Sequence, residues 1–123
     1  MGEIVTAGIL VIGDEILSGR TQDTNLTAIA RFLGPFGIDI AEARFVPDVQ
    51  AEIVAAVNAL RSRYDYVFTT GGIGPTHDDI TADSIGAAFG APVEHHPDAM
   101  ALLAARYNPG DFNERRQRMA RIP

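Results

Sequence analysis

Apolar residues run almost unbroken through IVTAGILVIG (4–13), which ends at Gly13 before an acid. A run of this kind predicts a strand buried on both faces, because a strand with one wet face would alternate. The period then changes. In DTNLTAIARFLGPFG (23–37), Leu26, Ile29, Ala30 and Leu33 recur at helical spacing, with Asp23 or Thr24 as N-cap and Gly34, Pro35 and Gly37 as the stop. IDIAEARFV (38–46) reads as a second strand, although its alternation is imperfect. VQAEIVAAVNALRSR (49–63) is an amphipathic helix with Ile53, Val57 and Leu60 on one face, and YDYVFTT (64–70) is a third strand.

Beyond it, ITADSIGAAFG (80–90) predicts a short helix ending at Gly90. APVEHH reads as a connector, PDAMALLAARYN (97–108) as a helix with Pro97 in its first turn, and FNERRQRMA (112–120) as another. Strands alternating with helices predict a parallel sheet with helices on its faces. Ligands of such sheets bind outside the carboxyl ends of the strands. Three loops leave those ends here: 13–25, 46–48 and 69–79. The first and third hold more glycine, acid and hydroxyl residues than a turn needs, so their convergence predicts a site.

Composition sharpens this picture mainly by what is missing. The chain of 123 residues suits one domain, and its 46% hydrophobic content is ordinary for a globular protein. No apolar run reaches the length of a membrane span and MGEIVTAG has no signal-peptide pattern, so a cytoplasmic protein is expected. There is no cysteine and no lysine, which excludes thiolate metal sites, a Schiff-base lysine and a Walker-type phosphate loop. A net charge of −6 argues against nucleic acid as a partner. Arg115, Arg116, Arg118 and Arg121 crowd the end of the chain; such a basic end could meet a phosphate, but a solvated helix face is expected.

The third loop, TTGGIGPTHDDIT (69–81), carries the most chemistry. Gly71, Gly72 and Gly74 let a ligand approach the main chain, Pro75 and Thr76 continue the loop, and the following helix points its positive end at the same spot. Phosphate is the natural guest. Asp78 and Asp79 would repel it unless a divalent cation, Mg²⁺ or Co²⁺, lay between them, so both are expected to be metal ligands. Asp83 is expected to serve the helix start, and His77 to be a surface residue. His95 and His96 lie in a connector without metal-pair spacing and are expected to bind nothing. In the first loop, Asp14, Glu15, Ser18, Gly19, Asp23, Thr24 and Asn25 are ligand candidates by position. Asp48, after Pro47 and before a helical pattern, reads as an N-cap.

GDEILSG with DTN, TTGGIGPTHDDIT, and the closing FNERRQRMARIP resemble the signatures of the molybdenum-cofactor biosynthesis (MoaB/Mog-like, molybdopterin-binding) domain family. The nearest branch is the N-terminal domain of the competence/damage-inducible protein CinA. The resemblance implies a three-layer α/β/α fold with a mostly parallel sheet, assembled as a trimer or related homo-oligomer. It implies a pocket for molybdopterin or an adenine nucleotide, reached by Asp14, Ser18, Gly19, Asn25, Gly71, Gly72, Gly74, Pro75 and Thr76. It also implies that Asp48 and Asp79 are catalytic. The CinA-type branch implies metal-dependent hydrolysis of a pyrophosphate such as ADP-ribose, although that branch often has glycine where this chain has Pro47. The adenylyltransferase branch implies transfer of AMP to a pterin phosphate, and a non-catalytic binding module is the third alternative. Family domains continue with further sheet and a closing helix, so the single domain at 1–123 is expected to be truncated at its C-terminal end.

Overall fold

A computed structural model of the chain describes residues 4–123. Its main sheet has three parallel strands in the order β2–β1–β3, with β1 (Val5–Ile12) between β2 (Ile38–Val46) and β3 (Tyr66–Thr70). As its unbroken apolar run predicts, β1 is buried on both faces: Ala7, Ile9, Leu10, Val11 and Ile12 are at most 2% exposed. Leu10 and Ile12 form the principal core with Val46 and with Ile53, Ala56, Val57 and Leu60 of α3 (Gln50–Arg61). Ile85 and Ala88 of α4 (Thr81–Phe89) pack against the same cluster. Period-2 alternation turns Ala7, Ile9 and Val11 to the opposite face, equally buried, and α2 (Asn25–Leu33) packs against β2. Helices on both faces of a parallel sheet make the expected α/β architecture. Among the described residues no helix is long and apolar enough to cross a membrane.

The imperfect alternation of β2 has a structural cause. Ala7 pairs with Ile40 but Gly8 pairs with Glu42, so Ala41 is an extra residue that bulges out of register. The bulge delivers Glu42 to a polar cluster. Its carboxylate accepts from the Tyr64 hydroxyl at 2.8 Å, Arg44 Nε at 2.7 Å and Arg63 Nη1 at 3.2 Å. The Tyr64 hydrogen bond, then that of Arg44, holds the Glu42 carboxyl below its ordinary value of 4.5. A depressed carboxylate contributes stability above its unfolded pKa and loses it as pH falls through the folded one. Glu42→Gln is therefore expected to melt lower than the parent near neutral pH. That gap should close as pH drops below about 4.5, which thermal melts across pH 7 to 3 would show.

Several boundaries differ from the sequence reading. GDEIL, expected as loop, contains one helical turn, α1 (Asp14–Leu17). Gly34–Phe36 extends α2 as a 3₁₀ turn, and the chain reverses at Gly37 (φ 79°). The helix expected over 97–108 is α5 (Pro97–Ala104). It ends early because Tyr107 stacks on Phe112 and under Arg116, drawing the chain back through a turn at Gly110 (φ 90°). The last helix is a single turn, α6 (Glu114–Gln117), followed by a 3₁₀ turn. The supposed connector contains β4 (Glu94–His95), paired antiparallel with β5 (Arg121–Ile122), and the His96 N–H donates to the Ala120 carbonyl. His96 also caps α5, its Nδ1 accepting from the Asp98 N–H.

Candidate functional site

The three polar loops do converge at the carboxyl edge of the sheet. Gly13, the first residue after β1, donates its N–H to Val46 at the end of β2 (3.0 Å). One residue further, the two loops are cross-braced. The Asp14 N–H donates to Asp48 Oδ2 at 3.1 Å, and the Asp48 N–H donates to Asp14 Oδ1 at 3.0 Å. Asp48 is therefore not the N-cap of α3, which starts after Val49 with no side-chain cap. It secures the first turn of α1 instead, and each carboxylate keeps its second oxygen for another partner.

The glycine loop meets the same edge. Gly71 has φ 90°, and a methyl group there would overlap the Ile12 carbonyl oxygen, so only glycine lets the chain pass the end of β1. Thr81 at the start of α4 donates its hydroxyl to the Gly71 carbonyl at 2.7 Å, and its N–H to Gly72 at 3.2 Å. Asp79 folds back into the loop. Its Oδ2 accepts from the Thr76 N–H at 3.0 Å and the Thr76 hydroxyl at 2.8 Å. A Cβ at Gly74 would stand 2.8 Å from that same oxygen, which makes Gly74 a matter of close approach. Partial burial opposes ionisation of Asp79. The hydrogen bonds from Thr76 and Gly74 and the charge of Arg118 outweigh it, and the carboxyl titrates below its ordinary 3.8.

Asp78 and Asp79 are engaged differently in this loop. Asp79 points into the loop, whereas Asp78 points outward, 85% exposed beside His77 Nε2 at 3.4 Å. The two neighbours differ in exposure and partners, which an adjacent pair of letters does not disclose. The other candidates distribute around the loop in three cavities. Asn25 and Gly71 line one of about 210 Å³ between the first loop and the ends of β1 and β3, together with Asp23 and Thr24. Gly72, Gly74 and Asp79 line a second, of about 460 Å³, against α4 and β5. Pro75, Thr76 and Asp78 line a third, of about 720 Å³, against α6. Ser18 and Gly19 lie on an exposed turn outside all three, where the Ser18 hydroxyl accepts from Arg20 Nε at 3.0 Å. Asp23, not Thr24, caps α2, accepting from the N–H groups of Asn25 and Leu26.

Residues 8–119, nearly the whole chain, match the sequence profile of the family described as "probable molybdopterin binding domain". This chain belongs to the molybdopterin-binding domain family. A relative named "probable FAD synthase" from Caenorhabditis briggsae is 42% identical over 88% of this domain and 20% of its own length. The crystal structure of CinA, of unknown function, from Thermoplasma acidophilum superposes with a TM-score of 0.86 at 34% identity, covering 96% of this chain and 70% of that one. The molybdopterin biosynthesis enzyme MoaB of Thermus thermophilus shares the fold, with a TM-score of 0.65 at 24% identity over 87% of this chain and 67% of that one. The chain spans 20–46% of the length of the first curated relatives it matches.

The end of the chain is where sequence reasoning fell short. Of its four terminal arginines only Arg115 is exposed, so they do not form one solvated face. Arg116 lies over the Tyr107 ring at 4.6 Å and donates to the Asp111 carbonyl at 2.8 Å. Arg121 holds Asp83 through Nη2 at 2.7 Å, so Asp83 is an ion-pair partner of β5 as well as an acid in the first turn of α4. Arg118 lines two of the cavities. Four arginines in nine residues of a lysine-free chain were the available signal.

Proposed function

We propose that this domain binds a phosphorylated pterin or adenine nucleotide over the glycine loop and hydrolyses a pyrophosphate of the ADP-ribose type with a divalent metal. The observation that carries this reading is the reciprocal Asp14–Asp48 brace, two residues beyond the Ile12 carbonyl against which Gly71 passes. It sets two carboxylates at the same carboxyl edge of the sheet from which the glycine loop leaves. Among the described residues no three His, Cys, Asp or Glu side chains gather into a metal cage. Two carboxylates completed by substrate phosphates are the usual Mg²⁺ arrangement, so the residues present fit such an ion. Asp14 Oδ2 and Asp48 Oδ1 are the atoms that would hold it. A bound divalent cation would neutralise phosphate charge and polarise the phosphoryl group.

The chain's own residues supply the rest. Gly71, Gly72 and Gly74 admit phosphate oxygens to the main chain, and α4 directs its positive end toward them. Asp79, held ionised, is a weak base, and its charge serves to orient the attacking water rather than to remove its proton outright. A second reading, adenylyl transfer to a pterin phosphate, is favoured by the Val46-Pro47-Asp48 step and would use the same groups. The FAD synthase name of the worm relative fits this second reading, since forming FAD joins AMP to a phosphate. Assembly as a trimer or related oligomer belongs to the same proposal, and light scattering of the purified chain tests it.

A ³¹P NMR time course with ADP-ribose and Mg²⁺, then Co²⁺, tests the reaction. Expected products are AMP and ribose phosphate, with the rate falling about 100-fold or more in Asp48→Asn. Binding of AMP without turnover would instead indicate a transferase or a binding module.

A further inference from the structure

Of the four terminal arginines, only the half-buried Arg118 has a buried donor left unused among the described residues. Its Nε is buried and has no hydrogen-bond acceptor among the described residues. Arg116 and Arg121 are engaged as described, and Arg115 sits exposed at a cavity rim. Asp79 is close enough for the Arg118 charge to depress its pKa. It spends its Oδ2 on Thr76, however, and among the described residues the two form no ion pair. Buried guanidinium N–H groups are nearly always bonded, since leaving one unsatisfied forfeits its hydration. The side chain also borders the cavities on both sides of the glycine loop, one reached by Thr76 and the other by Gly72 and Gly74.

We propose that Arg118 is the anion anchor of this site, its guanidinium taking non-bridging oxygens of a diphosphate ligand laid across the glycine loop. The inference rests on the pyrophosphate reading above and names the residue that makes it selective. A planar fork of donors suits phosphate oxygens on two sides, and the chain has no lysine that could substitute. Asp78 and Glu114 on the α6-side cavity carry charge of the opposite effect. They disfavour any anion there and make binding depend more steeply on the arginine.

Calorimetric titration of the intact chain with inorganic pyrophosphate and with AMP, in Mg²⁺ and at several salt concentrations, tests this anchor. Arg118→Gln is expected to weaken both ligands roughly 10- to 100-fold. It should also flatten the salt dependence, and Arg118→Lys should recover only part of the loss, because it restores charge without the fork. Parent-like affinities in an Arg118→Gln protein that melts normally, while the parent still turns over ADP-ribose, would overturn the anchor and leave the pyrophosphate reading standing. A parent that binds neither ligand would overturn both. If Arg118→Gln melts early, Arg118→Lys decides: full affinity refutes the role of the fork and partial affinity supports it.

Discussion

Gly71→Ala should be among the most damaging single changes in this chain. Two costs add. A side chain at φ 90° is strained by about 1–2 kcal/mol. The new methyl would also drive into the Ile12 carbonyl at the end of the central strand, where backbone cannot step aside cheaply. Overpacking of that kind costs about 1–3 kcal/mol, so a total loss of about 2–5 kcal/mol is expected. For a domain this size, that lowers the melting temperature by roughly 8–20 °C. Gly90→Ala is the natural comparison, since it carries a similar backbone strain (φ 64°) with no atom within 4 Å of the added carbon. It should cost only about 1–2 kcal/mol. Equal melting losses in the two proteins would show that the overlap with β1 is relieved by a shift of the loop.

Asp79→Asn should separate charge from architecture. The amide oxygen can still accept from the Thr76 N–H and hydroxyl, so the loop keeps its internal bonds. Stability should change by about 1 kcal/mol or less. What disappears is a negative charge that the loop is built to favour, as the lowered carboxyl shows. Hydrolysis of ADP-ribose is expected to fall about 100-fold or more. Rate and melting temperature measured on the same preparation decide the matter. A parallel fall in both would reduce Asp79 to a brace of the glycine loop, and an unchanged rate would remove it from the reaction.

The elements that carry their own period were legible before any coordinates: β1 from its apolar run, α3 from Ile53, Val57 and Leu60, and the stops at Gly37 and Gly90. The meeting of three loops at one sheet edge was also legible, because the parallel topology requires it. The roles of individual acids were not. Asp48 looked like the cap of the helix it precedes, yet it holds a turn 34 positions earlier in the chain. Asp83 looked like a partner of its own helix alone, yet it is held by Arg121 from the far end. Both depend on loops brought together by the sheet, and no local pattern encodes such a contact. The β4–β5 ribbon was missed because two-residue strands have no period to read. Arg118 differs from its arginine neighbours only in where the turn after α6 points it.

The order β2–β1–β3 also bears on how the chain reaches its fold. The central strand is made first, and its two partners lie about thirty and sixty residues downstream. No hairpin can shelter it, since both of its neighbours run parallel and arrive by crossover. During synthesis on the ribosome, an eight-residue apolar segment therefore waits until β3 has emerged before both of its edges are occupied. That interval exposes it to chaperone capture and to association between nascent chains. A mutation that slows docking of α3 onto β1 would then lower the yield of folded protein in cells more than its effect on the purified, refolded domain would suggest.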